Sequence, residues 1–236
     1  MPQPLIAARW RGAVITAAVI GTVVVVALAA VVYHGRSTSF DNWVFRRFYT
    51  HIGSGAARVL LDLSKPTVSI VVLVVAVALA MLVRKWHLAA LAAFGPLLAI
   101  GLTEFVFKPI VGRSLHPAAD NMNLPLSIRS VYPSGHETTV ASTAFVLIVI
   151  ATQLPVHRAL RAVLVLLPAL WLVASAVGLV RNFWHYPTDT IGAICLSVAV
   201  IGCAALFIDA YGARLGPKIA KAARTLWRVD SPADVG

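Results

Sequence analysis

The sequence predicts an all-α integral membrane protein, a bundle of six transmembrane helices with its candidate-site loops gathered on one face. Three observations predict it. Of 236 residues, 59% are hydrophobic and 12% charged, against about 45–50% and 25% in soluble domains, so polar side chains are too few to cover a water-soluble globule. Six stretches, residues 12–33, 66–83, 88–103, 138–156, 162–180 and 190–208, contain no Asp, Glu, Lys or Arg. Each approaches the ~20 residues that carry a helix across ~30 Å of hydrocarbon. None alternates polar and apolar residues as a barrel strand does, so in lipid the backbone is satisfied only as a helix. Residues 1–236 read as one domain, with a basic amphipathic tail over about 212–236.

The first stretch follows Arg9 and Arg11, and Ala27-Leu28-Ala29 mimics a signal-peptide cleavage site. Its 22 uncharged residues exceed the roughly 7–15 of a secretory core, which makes it a retained anchor. Residues 42–52 mix aromatics with Arg46 and Arg47 and read as an interfacial helix. The third stretch is short by count, and residues 104–108 extend it to the interface. Cys195 and Cys203 share the sixth stretch about 12 Å apart along a helix, too far for a disulfide, and are expected as small core residues. In the tail, Arg214, Lys218, Lys221, Arg224 and Arg228 fall on one helical face. That pattern suits either a helix lying on anionic lipid or a plain topology anchor.

A net charge of +11 suggests nucleic acid for a soluble protein. Between membrane spans it is loop charge that sets orientation, and no nucleic-acid partner is expected. With six spans, eleven lysines and arginines fall on the side of both termini and nine on the other, which puts the termini in the cytoplasm and the opposite face outside. The seven histidines lie outside the apolar stretches or at their ends, unlike haem ligands, which face each other near mid-membrane. No spacing resembles a zinc site, and the Gly-rich loop of nucleotide enzymes is missing. Neither metal nor cofactor is expected.

Three segments hold nearly all the polar residues that need an explanation: Lys108-Pro-Ile-Val-Gly-Arg113, Pro133-Ser134-Gly135-His136, and Arg181-Asn-Phe-Trp-His185-Tyr-Pro-Thr-Asp189. Chain parity puts them on one membrane face, where spans three and five end and spans four and six begin. Two helix N-termini with unpaired N–H groups then meet the cations Lys108, Arg113 and Arg181, a pocket for a multiply charged anion such as phosphate. Pro133 and Pro187 suit first helical positions. Asp189, one turn after His185, can hold one ring nitrogen and leave the other basic, as a nucleophile requires. His136 can protonate a leaving oxygen, and Ser134 and the Gly135 amide can hydrogen-bond phosphate oxygens. Each residue also has a plainer reading; Lys108, for instance, can pair with Glu104 one turn back.

In order and spacing these residues resemble the three motifs of the type 2 phosphatidic acid phosphatase superfamily, which includes membrane lipid phosphatases and vanadium haloperoxidases. The resemblance rests on Lys108, Pro133-Ser134-Gly135-His136 and His185 with Asp189. It implies that His185 is phosphorylated, that His136 protonates the leaving group and that no metal is needed. The chain departs from the pattern in its arginines. Leu115-His116 stand where the first motif has Arg-Pro, with Arg113 two positions early. Gly178-Leu179 stand where the third has Ser-Arg, with Arg181 four before His185. Arg129 is a further candidate for the clamp, and Glu137 is an unexpected carboxylate beside it. His116 and Asp120 read as loop residues.

The function expected is removal of phosphate from a membrane lipid on the outer face: a polyprenyl diphosphate, phosphatidylglycerophosphate, phosphatidic acid or a polyprenyl-linked sugar phosphate. The alternative is a catalytically weak carrier or assembly protein of the same fold that binds a lipid phosphate. Haloperoxidase chemistry is third, because so apolar a chain suits lipid better than a soluble oxidant.

Overall fold

The structure, a computed structural model, describes residues 4–35, 37–48, 53–114 and 130–228. Its helices are α1 (Ala8–Val32), α2 (Ser39–Phe48), α3 (Ser54–Leu63), α4 (Pro66–Leu82), α5 (Trp86–Leu102), α6 (Lys108–Val111), α7 (Gly135–Gln153), α8 (Arg158–Arg181) and α9 (Pro187–Arg228). Among the described residues there is no strand. Five helical stretches are long and apolar enough to cross a membrane, and α3 with α4 makes a sixth that is bent by 41°. The all-helical membrane bundle expected from the sequence is what forms.

The second span differs from its expected outline. The apolar stretch 66–83 becomes α4, but the chain is already helical in α3. Arg58 and Asp62 interrupt the uncharged run there and conceal α3 from a count of apolar residues. Lys65 pairs with Asp62 at 2.7 Å beside the break, and Pro66 opens α4, which keeps Lys65 out of helical backbone geometry. The third span lengthens as expected. After α5 a π-helical turn, Thr103–Phe107, leads into α6, and left-handed Gly112 (φ 59°) ends it.

The helix expected at 42–52 forms as α2, which starts three residues earlier; 49–52 lie outside the described residues. Its start is fixed by reciprocal capping. The Thr38 N–H donates to Asp41 Oδ2 at 2.9 Å, and the Asp41 N–H donates to Thr38 Oγ1 at 3.1 Å. At the other end, α9 runs unbroken from the sixth span through the tail to Arg228. The tail's basic side chains, like Arg129, His116 and Asp120, lie outside what is described.

Helix α7 is the centre of the bundle and packs against α4, α5, α8 and α9. It is 56% buried over its apolar window, against 17% for α1, although it is the least hydropathic span. The reason is composition. Thr138, Thr139, Ser142 and Thr143 are small enough for close helix contact, and each hydroxyl returns to a backbone carbonyl three or four residues earlier. Helix α1 packs along α9, and α3 along α8. Of the two cysteines expected in the core, Cys195 packs partly buried against the α1–α9 contact while Cys203 is exposed. The sixth span turns that later position outward.

The cytoplasmic end expected from the charge count is tied separately from the motif end. Asp209 accepts the N–H groups of Leu5 and Ile6 at 2.6 and 3.0 Å, and Gln153 donates to the Leu5 carbonyl at 2.9 Å.

At Gly178 a Cβ would lie 2.5–2.7 Å from the backbone of Leu60 and Leu61. Backbone cannot swing aside, so Gly178→Ala should force α3 off α8 and lower stability by about 1–3 kcal/mol. Gly101→Ala, where a Cβ meets nothing within 4 Å, should be neutral or stabilising by up to ~1 kcal/mol. Thermal melting of both variants in detergent checks the contrast.

Candidate active site

Four chain segments converge at one end of the bundle, and local chemistry sets each. Ser134, not Pro133, begins α7: its hydroxyl accepts the Glu137 N–H at 3.2 Å as the N-cap, and Gly135 is the first helical residue. Pro133, expected inside the helix, therefore precedes the cap, whereas Pro187 opens α9 as expected. The Gly135 and His136 amides belong to the first turn, whose N–H groups have no partner within the helix.

Helix α8 ends in a Schellman turn built without glycine. Phe183 is left-handed (φ 60°), its N–H donates to the Val180 carbonyl at 3.1 Å, and the Trp184 N–H donates to the Leu179 carbonyl at 3.0 Å. This reversal brings the third segment back over the start of α7. The His136 ring then meets Trp184 edge-on at 5.4 Å between centroids and lies 6.3 Å from the His185 ring. The Ser134 N–H donates to the Asp189 carbonyl at 3.2 Å and joins the two helix starts directly.

His185 is 7% exposed, and its Nδ1 faces Asp189 Oδ2 at 3.4 Å. The same oxygen accepts the Tyr186 N–H at 2.9 Å. Lys108 reaches the start of α7 and is paired with Glu104 at 2.7 Å. The two lie so close over Gly135 that a Cβ there would be 2.4 Å from Glu104 Oε1 and 3.3 Å from Lys108 Nζ. Arg181 is the last residue of α8, partly buried.

The structure thus brings together His136, His185, Asp189, Lys108, Ser134 and Gly135. It places Arg113 differently from the expected phosphate clamp. Arg113 has no exposed surface and donates to the carboxylates of both Asp41 and Asp189 and to the Thr188 hydroxyl, with its guanidinium carbon 4.0 Å from the centre of the Tyr186 ring. Two carboxylates outcompete an open pocket for a buried guanidinium. Glu137 is turned away from the pocket: it is fully buried and accepts the Ser175 hydroxyl at 2.6 Å, which removes the conflict with a bound anion. Among the described residues, no three His, Cys, Asp or Glu side chains are grouped to hold a metal.

Asp41, Thr188 and Tyr186 escaped sequence reasoning. The Thr38-x-x-Asp41 capping pattern was the signal available for Asp41, but it points to a helix start and not to a residue far along the chain. Burial alone would raise the Asp41 carboxyl. The backbone N–H groups of Thr38 and Thr188 and the Arg113 guanidinium outweigh it and hold the group below its ordinary value of 3.8.

A model of the PAP2 superfamily matches residues 88–212. The chain belongs to the PAP2 superfamily. Phosphatases are the family's membrane members, and the match supports a phosphoric ester hydrolase. No characterised protein and no solved structure matches the chain in the corresponding comparisons. The matched region contains every candidate residue named from the sequence and leaves out Asp41. The departures from the motif pattern have local causes in this PAP2 member. Gly178 lets the α3 backbone touch α8, and Leu179 is fully buried in the bundle.

An apolar cavity of about 760 Å³ runs between α1, α5 and α9, lined by Phe94, Leu98, Phe107, Leu196, Val200 and Phe207 among others. Its one hydroxyl, on Thr22, donates to the Ala18 carbonyl at 2.9 Å. Toward the motif end the cavity is lined by Phe107, the residue before Lys108.

Two predictions follow from this geometry. Gly135→Ala should leave the fold intact, because the atoms it strikes are ends of flexible side chains. Phosphate release should nonetheless fall on the order of 10²-fold as Lys108 and Glu104 are displaced. The second concerns acid. A carboxyl held below its ordinary value adds stability that is full above that value, 3.8, and is lost as pH falls through the depressed one. Melting temperature between pH 7 and 3 should therefore drop more steeply for the wild type than for Asp41→Asn.

Proposed function

We propose that the protein is a lipid phosphate phosphatase or diphosphatase working through a phosphohistidine, with its site on the extracytoplasmic face. The observation that carries this reading is the facing pair of imidazoles, His136 and His185, 6.3 Å apart where two helix starts meet Lys108.

In the first step Nε2 of His185 attacks phosphorus in line. The bond to the leaving oxygen breaks, and His136 delivers a proton to that oxygen. Asp189 beside Nδ1 holds the tautomer that leaves Nε2 with its lone pair, and it balances the charge on the ring once Nε2 is phosphorylated. In the second step His136, now neutral, takes a proton from water as that water attacks phosphorus. The N–P bond breaks and free phosphate leaves. Lys108, Arg181, the Gly135 amide and the helix start capped by Ser134 bind the phosphoryl oxygens. Phosphate must compete with Glu104 for Lys108. No metal takes part in either step.

The apolar cavity lined by Phe107, the residue before Lys108, supports a substrate whose hydrocarbon lies among the spans while its phosphate meets His185. Polyprenyl diphosphate, phosphatidic acid, phosphatidylglycerophosphate and polyprenyl-linked sugar phosphates all fit that description. An outward site favours the first, because released carrier has to be recycled there. A weakly catalytic lipid-phosphate carrier is the second reading, motivated by the displaced arginines: Arg113 is held by two carboxylates, away from the phosphoryl group it would stabilise during transfer.

The test is phosphate release by purified protein in detergent with EDTA, using a polyprenyl diphosphate, phosphatidic acid and phosphatidylglycerophosphate. Release that survives EDTA and falls at least about 10³-fold in His185→Ala and about 10²-fold or more in His136→Ala is the expected result. Retained lipid binding with no release from folded wild type would select the carrier.

A further inference from the structure

We propose that Asp41 and Arg113 are positioning residues that set the carboxylate of Asp189 for His185; the proposal rests on His185 being the phosphate acceptor. Asp41 lies on α2, outside the span of the family match.

The chain of contacts is continuous and closed to solvent. Asp41 Oδ2 accepts from Arg113 Nη2 at 2.6 Å, and Asp41 Oδ1 accepts the Thr188 N–H at 3.0 Å. Arg113 Nη1 donates to Thr188 Oγ1 at 2.6 Å and to Asp189 Oδ1. Asp189 Oδ2 is the oxygen that faces His185 Nδ1. Asp41, Arg113 and Asp189 each have no exposed surface, and Thr188 is 4% exposed.

Two effects follow. The first is orientation. With Oδ1 fixed by Arg113 and Oδ2 held by the Tyr186 N–H, the Asp189 carboxylate cannot rotate, so the imidazole has one place to form its bond. The second is charge. Arg113 alone would neutralise Asp189 and leave His185 without a counter-charge in a buried site, where charges act strongly. The Asp41 carboxylate cancels Arg113 and leaves the three-residue group at net −1. The negative field at Nδ1 is thereby kept for the imidazole that becomes cationic on phosphorylation.

A simple staple between α2 and α9 would use the same contacts, and the two roles separate by double substitution. In Asp41→Asn the guanidinium neutralises Asp189. In Asp41→Asn with Arg113→Gln, the group is back to the net −1 of the wild type, carried by Asp189. With dioctanoyl phosphatidic acid as probe, Asp41→Asn should lower kcat about tenfold to a hundredfold with KM held within about twofold, and the double variant, which restores the charge but not the Arg113 contact, should recover part of that loss. A staple predicts that the double variant is worse than either single one.

A second readout does not depend on turnover. Protein labelled with ¹⁵N-histidine in lipid nanodiscs reports the His185 tautomer by NMR, which should move away from the Nδ1–H form in Asp41→Asn and return in the double variant. Unchanged His185 resonances in folded Asp41→Asn overturn the proposal, as does a rise in KM with kcat held in Arg113→Gln, which would make Arg113 a phosphate ligand. Inactive wild type with the expected tautomer shift would sink the phosphatase reading and keep the positioning role. If Asp41→Asn does not fold, Thr188→Val replaces it. This variant keeps all three charges and removes the bridging hydroxyl; a smaller kcat loss with a smaller tautomer shift in the same direction supports the proposal, and a wild-type spectrum overturns it.

Discussion

A guanidinium sealed between two carboxylates, Arg113 between Asp41 and Asp189, ties together three parts of the chain that are far apart in sequence. Taking charges out of water is costly, and such a group persists only where every member is paired and hydrogen-bonded. That requirement fixes the loop after α6, the first turn of α9 and helix α2 against one another. The carboxyl end of Asp189 is shared with His185, so the demands of the buried charge group reach the imidazole directly. Tyr186 closes the group from the aromatic side, and the Ser134 N–H on the Asp189 carbonyl carries the same register to the start of α7.

The rest of the bundle serves that end by being unequal along its length. Small polar residues let α7 sit at the centre with its hydroxyls turned back on its own carbonyls. Lipid-facing helices such as α1 carry the large aliphatic side chains outward. Without a hydrophobic drive between helices inside a bilayer, close packing decides which helices meet. Gly178 against α3 is the sharpest case, and it places α8 so that its last turn delivers Trp184 and His185 over His136. The left-handed Phe183 is a strained conformation for a bulky residue, held by its two turn hydrogen bonds and by the Phe45 ring 5.3 Å away.

The same packing accounts for the arginine pattern. A long cation at position 179 would point into the sealed bundle, where Leu179 is fully buried; the charge appears instead at Arg181, at the partly buried helix end. Arg113 follows the reverse course. It is close to the pocket in sequence but is drawn inward by two acidic residues, one of them 72 positions away along the chain. Motif spacing records where a charge starts from the backbone. It does not record which partner takes it.

The sequence by itself determined what depends on composition and short-range periodicity: a helical membrane bundle, the side on which its polar motifs gather, and the residues His136, His185, Asp189 and Lys108 as a set. Helix geometry alone relates Glu104 to Lys108 and His185 to Asp189, because residues four apart share a face. What only the tertiary structure decided are the long-range choices. The uncharged-run count missed α3, since Arg58 and Asp62 are tolerated in a short segment that leaves them exposed. Glu137 turned out to face Ser175 on α8, and Arg113 to face Asp41. These outcomes depend on which helices touch and on the cost of leaving a buried charge unpaired, and neither quantity is present in any local stretch of residues.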